Sequence, residues 1–164
     1  MELPQLYCVF PYEQYMVGEE NLQLAIDTWH YGVETKAQKD FVSWHQDNIF
    51  CARLGLREEA KEYAILKLQD GPRRFPAFWG PGHDWVPDMN QGGSGMIGLQ
   101  EMLLQVKGDS IILFPAWPKE WDVDFKLYAP NNTIVECSYK GGIIKKLVVW
   151  PLIRRKDIVN YLDK

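Results

Sequence analysis

Apolar positions follow a helical period in the first two thirds of this chain and a strand period in the last third. From Glu19 to Tyr31, Leu22, Ala25, Ile26 and Trp29 fall at i, i+3, i+4 and i+7, which predicts an amphipathic helix ending near Gly32. Between Lys36 and Leu54 there are two neighbouring stripes, one of Phe41, Trp44, Asn48 and Cys51 and one of Val42, His45, Ile49 and Ala52. They predict a longer helix packed on two sides and closed by Gly55. Leu56 to Gln69 carries Ala60, Tyr63, Ala64 and Lys67 on one face, and the short Gly55 link predicts an antiparallel helical hairpin. A fourth helix is expected from Gly93 to Val106, with Met96, Leu99 and Leu103 sharing a face. The period changes at Lys107-Gly108-Asp109. SIILFP, FKLYA, NTIVECSYK and IIKKLVVW are β-rich runs bounded by turn residues, and DIVNYL predicts a last edge strand. Gly141-Gly142 marks a two-residue hairpin turn. Residues 1–18, broken by Pro11, show neither period and are expected to lie as an irregular segment against other structure.

Glycines crowd the start of the fourth helix, at Gly92, Gly93, Gly95 and Gly98. Each costs up to about 1 kcal/mol relative to Ala inside a helix. Their use is close approach, either of a neighbouring helix or of a ligand or loop backbone. Ahead of them runs FPAFWGPGHDWVPDMNQ, a loop of aromatic residues and glycine-proline turns. Aromatic rings in loops are platforms for the C–H-rich faces of sugars, and they also fill gaps between layers. Asp88, beside Trp85 and Pro87, can act as a general base towards water if its surroundings tune it, with Asn90 orienting the base or the water. Either residue can equally be a plain N-cap of the fourth helix.

The other candidates are less specific. His30 falls at a helix end, and His45 reads as a core histidine with a hydrogen-bond partner. Glu101 is expected in a solvated or interhelical ion pair, and Glu13 and Gln14 could line the same pocket as the loop. Asn131-Asn132-Thr133 fits a glycosylation sequon and reads as a turn.

At 164 residues the chain is one domain, or one with a small appendage. The net charge of -4 argues against a nucleic-acid partner, because the basic clusters Lys145-Lys146 and Arg154-Arg155-Lys156 are short. Cys8, Cys51 and Cys137 are far apart, show no zinc spacing and are expected as buried free thiols. No cofactor and no metal is expected. No run approaches the roughly 18 apolar residues of a membrane span. The start MELPQLYCVF lacks the features of a signal peptide, so the chain as written is expected in the cytoplasm.

DMNQGGSGMIGLQEMLLQ, then ILFPAWPKEW and a β-rich tail, resemble the carboxy-terminal part of glycoside hydrolase family 95. FCARLGLREEAKEYAILKL is similar to that family's A-R-L-G helix pair, and LYCVFPYEQ to an earlier segment of it. The resemblance implies the last helices of an (α/α)6 barrel over residues 1–107 and a small antiparallel β-sandwich over residues 108–164, within a mainly α plus β fold. It implies an inverting hydrolase of α-linked fucosyl- or galactosyl-type glycosides on an oligo- or polysaccharide. Asp88 matches the family's general base and Asn90 the Asn of the same motif, and His83, Trp79 and Trp85 would shape the sugar pocket. The chain departs from the family in having two extra residues before Glu101. The family's general acid comes from helices upstream of anything matching Met1, so the chain is expected to be a part of such an enzyme and inactive alone. The parent would be periplasmic or secreted in a bacterium. A part-barrel would expose an apolar helix face through which copies associate. Two rival expectations are a non-catalytic carbohydrate-binding or scaffold module, and a part of a family-65-like phosphorylase using Arg73, Arg74 and Ser94 around phosphate.

Overall fold

A computed structural model describes residues 3–33, 38–69 and 89–162, which form a mixed α plus β structure. Among the described residues are four α-helices: α1 (Leu22–Tyr31), α2 (Asp47–Leu54), α3 (Arg57–Leu68) and α4 (Met89–Leu103). Six strands follow: β1 (Leu104–Lys107), β2 (Ser110–Leu113), β3 (Val123–Ala129), β4 (Thr133–Lys140), β5 (Ile143–Trp150) and β6 (Ile158–Asn160).

The helical layer is built around α2. Every residue of Asp47–Leu54 is buried, as expected of a helix with no polar stripe, and α3 and α4 both pack on it. Gly55 ends it in the left-handed region at φ 74°, where its N–H reaches the Cys51 and Ala52 carbonyls and the chain turns straight into α3. α3 turns Ala60, Ala64 and Lys67 inward. α1 buries Ala25 and Trp29, and the Trp29 ring meets Tyr63 edge-on at 5.8 Å. The amino-terminal segment is irregular, apart from a 3-10 turn at Pro4–Leu6, and buries Leu3, Leu6 and Val9 in the shared core.

The long helix expected from Lys36 is not continuous. Residues 39–46 are non-helical, and the helix begins at Asp47. Two carboxylates explain the break. Asp40 accepts the N–H groups of Phe41 and Val42, and Asp47 accepts that of Asp40 at 3.1 Å. These side chains offer the backbone an alternative to the helical ladder, and Ser43 sits at φ 51°. Periodicity registers apolar spacing and is blind to this competition.

The fourth helix is already formed at Met89, ahead of the start expected at Gly93, and stops at Leu103. Strand β1 begins at the next residue and pairs antiparallel with β2, so the strand period starts before Lys107. After β2 the chain doubles back, and the Phe114 and Ala116 N–H groups bond the Leu103 and Met102 carbonyls at 2.8 and 3.4 Å. Those are carbonyls that a helix end otherwise leaves unsatisfied.

The strands form two three-stranded sheets, ordered β1-β2-β6 and β3-β4-β5. The second sheet is antiparallel throughout. Its β4–β5 turn uses Gly141 and Gly142, both at positive φ, as the hairpin signal requires. Asn131 and Asn132 make the β3–β4 turn with φ of 61° and 52°, and Thr133 is wholly buried, its hydroxyl bonded to the Pro130 carbonyl. The first sheet departs from the antiparallel expectation. β6 is an edge strand, and it runs parallel to β2 because a 3-10 segment, Leu152–Asp157, carries the chain over from β5. The sheets meet at Phe114, whose ring contacts Phe125 at 5.8 Å and Tyr139 at 5.2 Å. The buried Tyr139 hydroxyl donates to the Lys119 carbonyl at 2.8 Å. Tyr139→Phe is therefore expected to lose about 1 kcal/mol in urea denaturation, with no change in strand content.

Cys51 and Cys137 are buried free thiols, as expected, and Cys8 is only half-buried. Burial pushes the Cys137 thiol up to about 11 and Cys51 well above the ordinary thiol value. No helix among the described residues is long and apolar enough to cross a membrane.

Candidate functional site

Two places hold the chemistry-bearing side chains, one at each end of α4. At the amino-terminal end, four buried polar groups fix the helix to its neighbours. Gln91 accepts the Ser43 N–H and donates to the Lys67 carbonyl at 2.7 Å. Lys67, fully buried, donates to the Ser43 and His45 carbonyls, each at 2.7 Å. Asn48 donates to the Ser94 carbonyl at 2.8 Å. The Ser94 hydroxyl bonds the Asn90 carbonyl at 2.6 Å and lies 3.3 Å from that of Ser43. A buried ammonium is costly unless its donors are satisfied, and here loop carbonyls take them. The α4 glycines serve the same contact. A Cβ on Gly95 would meet the Leu68 side chain at 2.7 Å, and one on Gly98 would lie 2.1 Å from Asn48 Nδ2. Gly93 faces open space. At Gly95 and Gly98 the close approach is that of neighbouring helices.

Asn90 lies inside the first turn of α4 and is exposed, so it is not the cap. Asp88 is the residue before Met89 in the chain. It lies outside the described residues, as do Trp79, His83, Asp84, Trp85, Arg73 and Arg74. Of the proposed sugar-site residues, the structure describes Asn90 alone.

At the other end of α4, Arg53 is 2% exposed and bonds Glu13 and Glu101, each at 3.1 Å. The expected interhelical ion pair of Glu101 is present, with Arg53 of α2 as its partner. Burial raises the Glu101 carboxyl to about 7 against the pull of Arg53, and the second carboxylate, Glu13, adds to the rise. These groups line a hollow of about 380 Å³ with Gln105, Leu127 and Tyr128. Gln14 lines a different hollow, with Tyr15, Glu19 and Lys107. Sequence reasoning missed Arg53 as the hub. The available signal was a guanidinium in a helix that has no polar face.

A carboxyl near 7 resembles a general acid, but Glu101 is badly placed to serve Asp88. Twelve residues of helix separate it from Met89, about 18 Å of rise. An inverting pair stands about 6.5–9.5 Å apart.

His45 is buried, with Nδ1 3.6 Å from Asp47 and Nε2 4.0 Å from Asp40, and Trp44 stacks on it. Burial raises the Asp47 carboxyl while His45 holds it down. This is a core histidine with partners. His30 is half-exposed and 3.9 Å from Glu59. No group of three or more His, Cys, Asp or Glu side chains placed to hold a metal occurs among the described residues. Compared with known proteins, the chain matches no family pattern and no curated relative.

Proposed function

We propose that this chain is the base-bearing, carboxy-terminal part of an inverting glycoside hydrolase of the family-95 kind, acting on α-linked fucosyl- or galactosyl-type glycosides. The observation that carries the reading is the order DMNQGG, EMLLQ, ILFPAWPKEW together with its placement. The first motif heads a helix locked to α2 and α3, and that helix runs unbroken into a β unit. In this reading α2, α3 and α4 belong to the last helices of an (α/α)6 barrel. Asp88 removes a proton from the attacking water, and Asn90, exposed on the first turn, orients that water or the base. His83, Trp79 and Trp85 cradle the sugar. The acid that protonates the leaving oxygen belongs to helices that complete the barrel, because Glu101 is too distant.

The test uses 4-nitrophenyl α-L-fucoside and α-L-galactoside with the full chain. No turnover is expected, whereas free L-fucose or L-galactose quenches tryptophan fluorescence, and Trp85→Ala or His83→Ala abolishes the quenching. Turnover that disappears in Asp88→Asn would refute the missing acid. Quenching that is absent, or unaltered by Trp85→Ala, would refute the sugar site.

A further inference from the structure

The outer face of the β3-β4-β5 sheet carries two exposed rings, one of which, Tyr128, also lines the Arg53–Glu101 hollow. Alternation sends Phe125, Leu127, Val135, Cys137, Leu147 and Val149 towards the core. The opposite face shows Tyr128, Ile134 and Trp150 in one cross-strand row, since Tyr128 pairs with Ile134 and Ile134 with Trp150. Tyr128 is 73% exposed and Trp150 60%. A solvent-facing sheet surface gains nothing in stability from two large exposed rings, which commonly mark a binding surface.

Spacing and polarity say what fits. Two strand separations place the Cβ atoms of Tyr128 and Trp150 roughly 9–10 Å apart, close to the span of two successive pyranose units. Next to the row lies a shallow hollow of about 630 Å³, lined by Asp124, Lys126, Glu136, Ser138 and Lys146, with Phe125 and Cys137 at its floor. Lys146 pairs with Glu136 at 2.7 Å and Lys140 with Asp124 at 2.9 Å, so the charges are largely balanced and present both donors and acceptors. That lining suits a neutral polyol better than an ion. A second copy adding at the β5 edge is opposed on three counts: a bulge at Ser138/Tyr139, Lys145-Lys146 beside it, and Arg155, which occupies the Leu147 carbonyl at 2.6 Å.

We propose that this face binds an extended, neutral β-1,4-linked oligosaccharide, its Tyr128 end adjoining the Arg53–Glu101 hollow. In such a ribbon, units i and i+2 present the same face. Tyr128 and Trp150 each stack on one of them, and the hollow takes the hydroxyls of the flanking units.

The experiment is isothermal titration of the full chain with cellohexaose, xylohexaose and mannohexaose, alongside Trp150→Ala, Tyr128→Ala and, as a control, Tyr31→Ala on the exposed end of α1. Binding of at least one hexaose is expected, weakened tenfold or more by either sheet variant and unaffected by the control. The altered side chains are exposed, so folding is retained, and near-ultraviolet circular dichroism checks it. Three outcomes would each overturn the proposal: no binding to any hexaose, binding unaltered by both sheet variants, or a concentration-dependent dimer abolished by Trp150→Ala without hexaose binding. The last would make the face a contact between copies.

Discussion

Gly98→Ala is expected to lower the stability of the chain by about 3 kcal/mol, while Gly93→Ala raises it by about 0.5–1 kcal/mol. Both substitutions add one methyl group to the same helix. At Gly98 the new Cβ would lie 2.1 Å from Asn48 Nδ2 and 2.9 Å from its Cγ, so the Asn48 side chain must leave its place. The bond from that amide to the Ser94 carbonyl is then lost, and the displaced Asn48 amide is buried without it. α2 is buried on all sides and cannot retreat. At Gly93 nothing lies within 4 Å, so only the intrinsic helix preference of Ala remains. Urea midpoints of the two variants check the pair. Equal effects would mean that the α2–α4 contact is looser than these distances state.

The second large effect is a fall in stability as pH rises from about 4.5 to 7, on the order of 3 kcal/mol from Glu101. Its carboxyl titrates near 7 when folded, against an ordinary 4.5. Between those values the folded chain holds a proton that the unfolded chain has released. The contribution is therefore complete below the unfolded value and disappears as pH rises through the folded one. Asp47, also raised by burial, acts with the same sign. Glu120, Asp124 and Glu136 are held below their ordinary values by Lys61, by Ser138 and Lys140, and by Lys146, so they act in the opposite sense at more acid pH. Glu101→Gln removes the proton exchange and keeps the shape beside Arg53. Stability curves of the two proteins between pH 4.5 and 8 should therefore diverge in slope. Parallel curves would remove Glu101 as the source.

The strands of the second sheet were legible from composition and turn chemistry, because IIKKLVVW and NTIVECSYK flank Gly141-Gly142. Strand β1 was not, since Leu104–Val106 fall within the span expected for the fourth helix. The direction of β6 was not legible. A three-residue strand carries no mark of parallel or antiparallel pairing, which is set by the crossover before it. The break at residues 39–46 was hidden for a related reason: Phe41, Val42 and Trp44 keep helical spacing while Asp40 and Asp47 take the backbone donors. The candidate site divides in the same way. Asp88 and Asn90 were visible as a motif next to glycines. The roles of Lys67, Gln91 and Arg53 depend on contacts between residues far apart in the chain, which no local pattern encodes.

The passage from Leu103 into Leu104 leaves the chain without a joint. A helix that becomes a strand in one step, with its last carbonyls held by the returning Phe114 and Ala116, has no spare residue in which to absorb a rotation. The first sheet and α4 must therefore turn together as one lever. Residues 89 and 90 ride at its far end, so a torque applied at the sheet is delivered to the first turn of α4.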